Sequence, residues 1–297
     1  MTIIWYPGHM VTARVKAAET MRKTDLVIEV LDARVPRSSC NPLFEKLRLQ
    51  GERPALKLLN KADAADPEQT ERWLQHYNAQ PGVRAIALCA KKHGEAARVI
   101  KACRMLRPDR GAPDKSLRMM ILGIPNVGKS TLMNALLKRH VAHVGDEPAI
   151  TKIQMYHQLG PGMTLVDTPG MLWPGMAQNG AYKLAATHSI GRAAYDDQDV
   201  ATSLGRYLLL HYRALLSKRF GEPPAGCDGH RLLEFIATTR SLVKAGGPDV
   251  ARAAVALLND FRSGTLGRIT LETVEETGEE TGEETGEETA DPAPAAL

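Results

Sequence analysis

The chain has 297 residues, 43% of them hydrophobic, and 38 Lys and Arg against 34 Asp and Glu give a net charge of +4. That is room for one mid-sized domain and a smaller second one, with apolar content for a real core. No run is long enough to span a bilayer and the first residues lack a signal-peptide core, so a cytoplasmic protein without a membrane span is expected. The cysteines Cys40, Cys89, Cys103 and Cys227 show no paired metal-ligand spacing and read as reduced thiols.

In chain order, the first informative segment is the strand candidate Pro54-Ala55-Leu56-Lys57-Leu58-Leu59, which delivers Asn60-Lys61-Ala62-Asp63. A carboxylate placed like that of Asp63 accepts two hydrogen bonds from guanine N1–H and the exocyclic amine, a donor pair that adenine lacks. Lys61 would cover the base, and Asn60 would tie the loop to a phosphate-binding loop. A further strand, Val83–Leu88, ends in Cys89-Ala90-Lys91, where the Ala90 N–H could meet guanine O6.

Next comes the apolar run Leu117–Leu122, which suits a buried strand. Gly123-Ile-Pro-Asn-Val-Gly-Lys-Ser130 follows and fits G-x-x-x-x-G-K-[ST]. Leu132, Met133, Leu136 and Leu137 then fall at helical spacing over Lys129–Arg139. A strand, a glycine loop and a helix N-terminus make an anion site, because backbone N–H groups and the helix dipole converge there. Asn126, Val127, Gly128, Lys129, Ser130 and Thr131 are therefore expected around the phosphates. Lys129 would reach the β- and γ-phosphates, and the Ser130 hydroxyl would ligate Mg²⁺.

Met163–Val166 is a short strand ending in Asp167-Thr168-Pro169-Gly170. Asp167 suits a water-mediated Mg²⁺ contact, and the Gly170 N–H would sense a γ-phosphate. Thr151 lies between the two motifs, where the first switch of a GTPase closes a threonine onto Mg²⁺. Met171 follows Gly170 where Ras-like enzymes carry the glutamine that orients the attacking water. A thioether cannot do that, so slow hydrolysis in isolation is expected.

The order of the motifs decides the fold class. The guanine reader precedes the phosphate loop, the reverse of an ordinary small GTPase, so the expected fold is α/β: a circularly permuted P-loop GTPase domain over 1–175. Beyond Gly175 the texture changes. Ala181–Ile190, Asp199–Phe220, Gly229–Lys244 and Pro248–Arg262 read as amphipathic helices, giving an all-α helical domain over 176–270 expected to bind RNA or the ribosome. The short path from Gly170 to Gly175 predicts that ordering of this segment by triphosphate repositions the helical domain.

Residues 271–297 repeat Thr-Gly-Glu-Glu and read as a disordered acidic tail. The ten acids from Glu272 to Asp291 leave 38 basic against 24 acidic residues in the rest of the chain, a surplus of about +14. That surplus suits a polyanionic partner, and RNA is the one expected.

Trp5-Tyr6-Pro7-Gly8-His9-Met10, Asp32-Ala33-Arg34-Val35-Pro36, Asn41-Pro42, Asp167-Thr-Pro-Gly-Met-Leu-Trp-Pro174 and Leu266-Gly-Arg-Ile-Thr270 join the reversed motifs. Together they closely resemble the ribosome biogenesis GTPase A family over about residues 1–270. Ala149 stands where the family usually has glycine and Cys89 where it usually has serine; the acidic repeat lies outside the family pattern. The resemblance implies a monomeric GTP/GDP-binding protein that acts late in assembly of the large ribosomal subunit, with subunit precursor and its rRNA as partners. It also implies hydrolysis involving His9, with RNA or subunit contact as the competing role, and a K⁺ ion helped by Asn126. A GTP-gated RNA-binding regulator outside ribosome assembly is the alternative.

Overall fold

The computed structural model describes residues 9–112, 114–137, 155–168, 170–173 and 178–275, with side chains outside 9–14 and 178. Thr151, Pro169, Gly175 and the repeat from 276 onward lie outside the described residues.

The first half alternates helix and strand: α1 (His9–Arg22), β1 (Leu26–Asp32), α2 (Pro42–Gln50), β2 (Ala55–Asn60), α3 (Pro67–Asn78), β3 (Val83–Ala87), α4 (Glu95–Leu106), β4 (Leu117–Leu122), α5 (Lys129–Leu137), β5 (Met155–Gly160) and β6 (Met163–Asp167). The strands form one sheet in the order β3-β2-β1-β4-β6-β5, in which β5 pairs antiparallel to β6 and every other pairing is parallel. Parallel strands need crossovers, and the helices that supply them cover both faces.

Side chains alternate across the sheet. Leu26, Ile28 and Val30 of β1 join a cluster with Val99 and Cys103 of α4 and Leu132 and Leu136 of α5. Leu31, on the opposite face, meets Trp73 and Tyr77 of α3. Val27 meets Ala17 and Met21 of α1 and Phe44 of α2.

The second half is helical: α6 (Gln178–Ala186), a 3₁₀ turn at Arg192–Ala194, α7 (Asp197–His211), α8 (Arg213–Phe220), α9 (Gly229–Thr239), a small hairpin of β7 (Val243–Lys244) and β8 (Gly247–Pro248), and α10 (Val250–Arg262). Asp196, Asp228 and Asp249 cap α7, α9 and α10 by accepting first-turn N–H groups, each a contribution of about 1 kcal/mol. Leu204, Leu233, Leu257 and Phe261 extend the apolar cluster of the sheet without a break.

Four expectations need correction in detail. The helix expected over 199–220 breaks at Tyr212 into α7 and α8, and the one expected over 229–244 ends at Thr239, before the hairpin. The helix expected over 181–190 ends at Ala186. The acidic tail does not begin at 271. Leu271 and Glu272 are 3% and 2% exposed, and residues 266–275 form a strap that returns from α10 to the sheet domain. The composition of that stretch suggests solvent, but Glu272 finds its partners across the fold. Its carboxylate accepts from the Arg37 N–H at 2.7 Å and from the N–H and hydroxyl of Ser38, and Trp73 Nε1 donates to its carbonyl at 3.2 Å.

Candidate functional site

β1 and β4 lie side by side at the centre of the sheet, and the strand order runs outward from them in opposite senses. Ligand crevices form at such a switch point, beyond the carboxyl ends of the strands. The loops after β1, β2, β3, β4 and β6 all open there.

The loop after β4 turns into α5 through two glycines that only glycine can serve. Gly123 has φ +149°, and a Cβ there would lie 2.5 Å from the Val30 carbonyl of β1. Gly128 has φ +99°, and its Cβ would collide with the Asn60 amide. Asn126 takes φ +59° without being glycine. Lys129 is buried and donates to the Ile124 carbonyl at 2.8 Å. Burial pushes its ammonium down to about 8, with the Asp167 carboxylate opposing.

Asn60 joins the two motifs that lie far apart in sequence. Its Nδ2 donates to the Val127 carbonyl at 2.7 Å, and its Oδ1 accepts from the Ala90 N–H at 2.9 Å. Lys61, at φ +61°, donates to the Asn126 carbonyl at 2.7 Å and to Asp32 Oδ2 at 2.9 Å. The Ala62 N–H donates to the Leu88 carbonyl at 3.1 Å, which closes the loop onto the end of β3. Asp63 is exposed at the mouth. The Cys89 thiol lies beside it: burial pushes that thiol up, and the Asp63 carboxylate adds to the shift. Asn60, Lys61, Ala62, Asp63, Cys89, Ala90 and the Asn126–Thr131 stretch are therefore gathered in one crevice.

Asp167 ends β6 opposite Ile121 of β4. Burial raises its carboxyl, against the opposing charges of Lys129 and His157. Gly170 faces the phosphate loop so closely that a methyl there would stand 3.0 Å from both Lys129 Nζ and the Pro125 nitrogen. Met171 turns away. It is 2% exposed, inside the apolar cluster with Ala17, Met21 and Phe44. His9 is the first residue of α1, the helix that supplies Ala17 and Met21.

Several neighbours of this crevice carry no local signal of their role in the sequence. Asn41 caps α2 and donates from Nδ2 to the Met171 carbonyl at 3.2 Å. Asp32 binds Arg34 through two oxygens at 2.9 and 2.8 Å. Burial alone would raise that carboxyl, but Arg34 and Lys61 hold it well below the usual range. The Arg34 guanidinium lies 5.2 Å from the Phe261 ring of α10. Asn126 Nδ2 donates to the His188 carbonyl at 2.8 Å. The Asp-Ala-Arg and Asn-Pro motifs were visible in the sequence, but nothing local to them gave a role.

Among the described residues no group of three or more His, Cys, Asp and Glu is placed to hold a metal. A hydroxyl at Ser130 and a buried carboxylate at Asp167 are hard oxygen donors that suit one Mg²⁺ completed by phosphate and water. The raised Asp167 carboxyl fits the same reading, because added positive charge there would offset its burial. No described helix is long and apolar enough to cross a membrane.

Known proteins resemble this chain over most of its length. Residues 118–201 match the family model of the 50S ribosome-binding GTPases, beginning at β4 and its phosphate loop. The ribosome biogenesis GTPase A of Bacillus cereus is 36% identical over 285 residues, covering 93% of this chain and 95% of that protein. That of Thermotoga maritima is 31% identical over 275 residues, covering 92% and 95%. Mitochondrial ribosome-associated GTPase 1 of Mus musculus is 33% identical over 305 residues, covering 90% and 89%. Among solved structures, GNP-bound YlqF from T. maritima superposes with a TM-score of 0.61 at 25% identity, covering 88% of this chain and 98% of that one.

Proposed function

The chain belongs to the ribosome biogenesis GTPase A family, and from that premise we propose that it binds and hydrolyses GTP as an assembly factor for the large ribosomal subunit. The observation that carries the reading is Asn60. One side chain fastens the phosphate loop at Val127 and the Ala90 loop to the base-reading segment. Two motifs in reversed order thus form one nucleotide site.

In this reading Asp63 accepts from guanine N1–H and the 2-amine, and Lys129 with the N–H groups at 126–131 holds the phosphates; the Ala90 N–H, expected at O6, is instead donated to Asn60 Oδ1. Ser130 would hold Mg²⁺ directly, Asp167 through water, with Thr151 joining from the first switch. When bound, magnesium would supply positive charge that neutralises the phosphates. A K⁺ ion at the phosphate loop would use the side-chain oxygen Oδ1 of Asn126, while Nδ2 of the same amide donates to the His188 carbonyl.

The burial of Met171 supports slow hydrolysis in isolation. The group that orients water must then come from elsewhere. His9, the first residue of α1, is the candidate within this chain, a role that the family resemblance implies. The large subunit precursor is the candidate outside it. The basic surplus of the body suits contact with rRNA, and we expect a cytoplasmic monomer.

The test is GTP turnover by the purified protein with and without purified large subunits. Subunits should raise the rate by at least about 10²-fold, in line with partners that complete a GTPase site. His9→Ala should lose that gain and keep its GTP affinity. An unchanged rate with subunits removes the ribosome-activated reading.

A further inference from the structure

The guanine-reading loop is held from behind by the C-terminal strap. Arg268 Nε donates to the Ala65 carbonyl at 2.8 Å and Nη2 to the Ala62 carbonyl at 2.9 Å. The Ile269 N–H donates to the Ala64 carbonyl at 3.0 Å. The Asp66 N–H donates to Thr270 Oγ1 at 3.2 Å, and the Tyr212 hydroxyl at the start of α8 donates to Asp66 Oδ2 at 3.0 Å. The other oxygen of Asp66 caps α3 by accepting from the Glu68 and Gln69 N–H groups at 2.9 and 3.2 Å. Every residue from Ala62 to Asp66 except Asp63 therefore has a hydrogen bond to the strap or to α8.

The strap can act as a brace because its other side is fixed. The Leu271 N–H donates to the Arg34 carbonyl at 2.7 Å, and Thr270 Oγ1 donates to the Ala33 carbonyl at 3.2 Å. Glu272 closes the far end on Arg37 and Ser38. The brace thus runs from the tip of β1 to the loop after β2.

We propose that Arg268 is a positioning residue for guanine recognition: by bridging the Ala62 and Ala65 carbonyls it sets the direction of Asp63, and so the nucleotide's base selectivity. This rests on Asp63 reading the guanine edge. Two hydrogen bonds from one carboxylate to one base require the loop to be placed correctly, whereas a single bond tolerates drift. Loosening the loop therefore costs guanine more than hypoxanthine, which keeps N1–H and lacks the 2-amine. A general loss of stability would weaken both alike.

The experiment is calorimetric titration of the full chain with GDP and IDP, in wild type and in R268A. Wild type should favour GDP by about tenfold or more, the worth of one hydrogen bond to a charged group. R268A should weaken GDP binding by at least about fivefold and narrow the preference below about threefold. Should R268A fold poorly, R268K gives the same reading, because it keeps the stem and charge but cannot span both carbonyls. An unchanged GDP-to-IDP ratio in a folded variant overturns the proposal. Absence of a preference in wild type overturns the Asp63 reading itself, and this proposal with it.

Discussion

Burial sets the charge of Lys129. Its ammonium sits at about 8 in this structure, against 10.5 for an ordinary lysine. Below pH 8 it is charged both folded and unfolded, and its desolvation is a cost to the fold. Between the two values the unfolded chain binds more protons, so this group's contribution to stability rises with pH across that window. Nucleotide phosphates beside Lys129 would reverse the balance and restore the proton. Binding at pH 9 should therefore take up close to one proton, and affinity should fall by about tenfold from pH 7 to pH 9 through this group alone. Titration calorimetry in two buffers of different ionisation enthalpy measures the uptake; equal heats in both would show that Lys129 keeps its proton throughout. Met171 illustrates the opposite use of burial. The sequence showed that no amide stands after Gly170. The structure adds that the side chain fills the cluster beneath α1 rather than facing the phosphates.

At the scale of elements, what the sequence revealed follows from how far each signal reaches. β2, β3, β4 and β6 stood out as short apolar runs, and the phosphate loop stood out because its glycines answer local backbone needs. β1 did not: like β2 it carries a central charge, here Glu29, but no nucleotide-binding motif follows it to mark its end. Glu29 lies opposite Lys57 in the β1–β2 register, and their side chains, 4% and 1% exposed, meet at 2.6 Å. Neither residue explains itself without a partner 28 positions away. β5 was hidden too, since this edge strand exposes Met155, Tyr156 and Gln158 and fully buries only His157, which leaves no apolar run to read. The break between α7 and α8 at Tyr212 has a distant cause as well, because its hydroxyl bonds Asp66 and Thr270. The β1–β2 pair carries its own expectation. Lys57→Met leaves a buried carboxylate uncompensated and should cost about 3–5 kcal/mol, whereas Lys57→Met with Glu29→Leu should recover most of that loss. Urea unfolding of the two single variants and the double variant checks it; additive losses would mean that the pair is not coupled.

For the whole molecule, the issue is how the nucleotide reaches the helical half. The short segment from Gly170 to Gly175 offers a covalent route, but the described contacts run in parallel with it. Asn126 of the phosphate loop bonds the His188 carbonyl, Arg34 meets Phe261, and the strap joins the loop after β2 to α10. One apolar cluster runs from Ile28 and Leu58 through Leu172 to Leu204, Leu233 and Leu257. An interface this continuous restrains independent domain motion, so slack in one connection should not release the helices. We therefore expect a glycine-serine insertion after Gly175 to leave most of the difference in large-subunit affinity between a GTP analogue and GDP. Adding Glu272→Ala removes the carboxylate that anchors the strap on Arg37 and Ser38, and that combination should abolish the difference. Binding of all variants should weaken with added salt, because phosphate contacts carry sequence-independent affinity. Co-sedimentation at two salt concentrations separates the cases. Loss of nucleotide dependence on insertion alone would assign the relay to the segment after Gly170. Persistence in the combined variant would assign it to the phosphate-loop contact with His188.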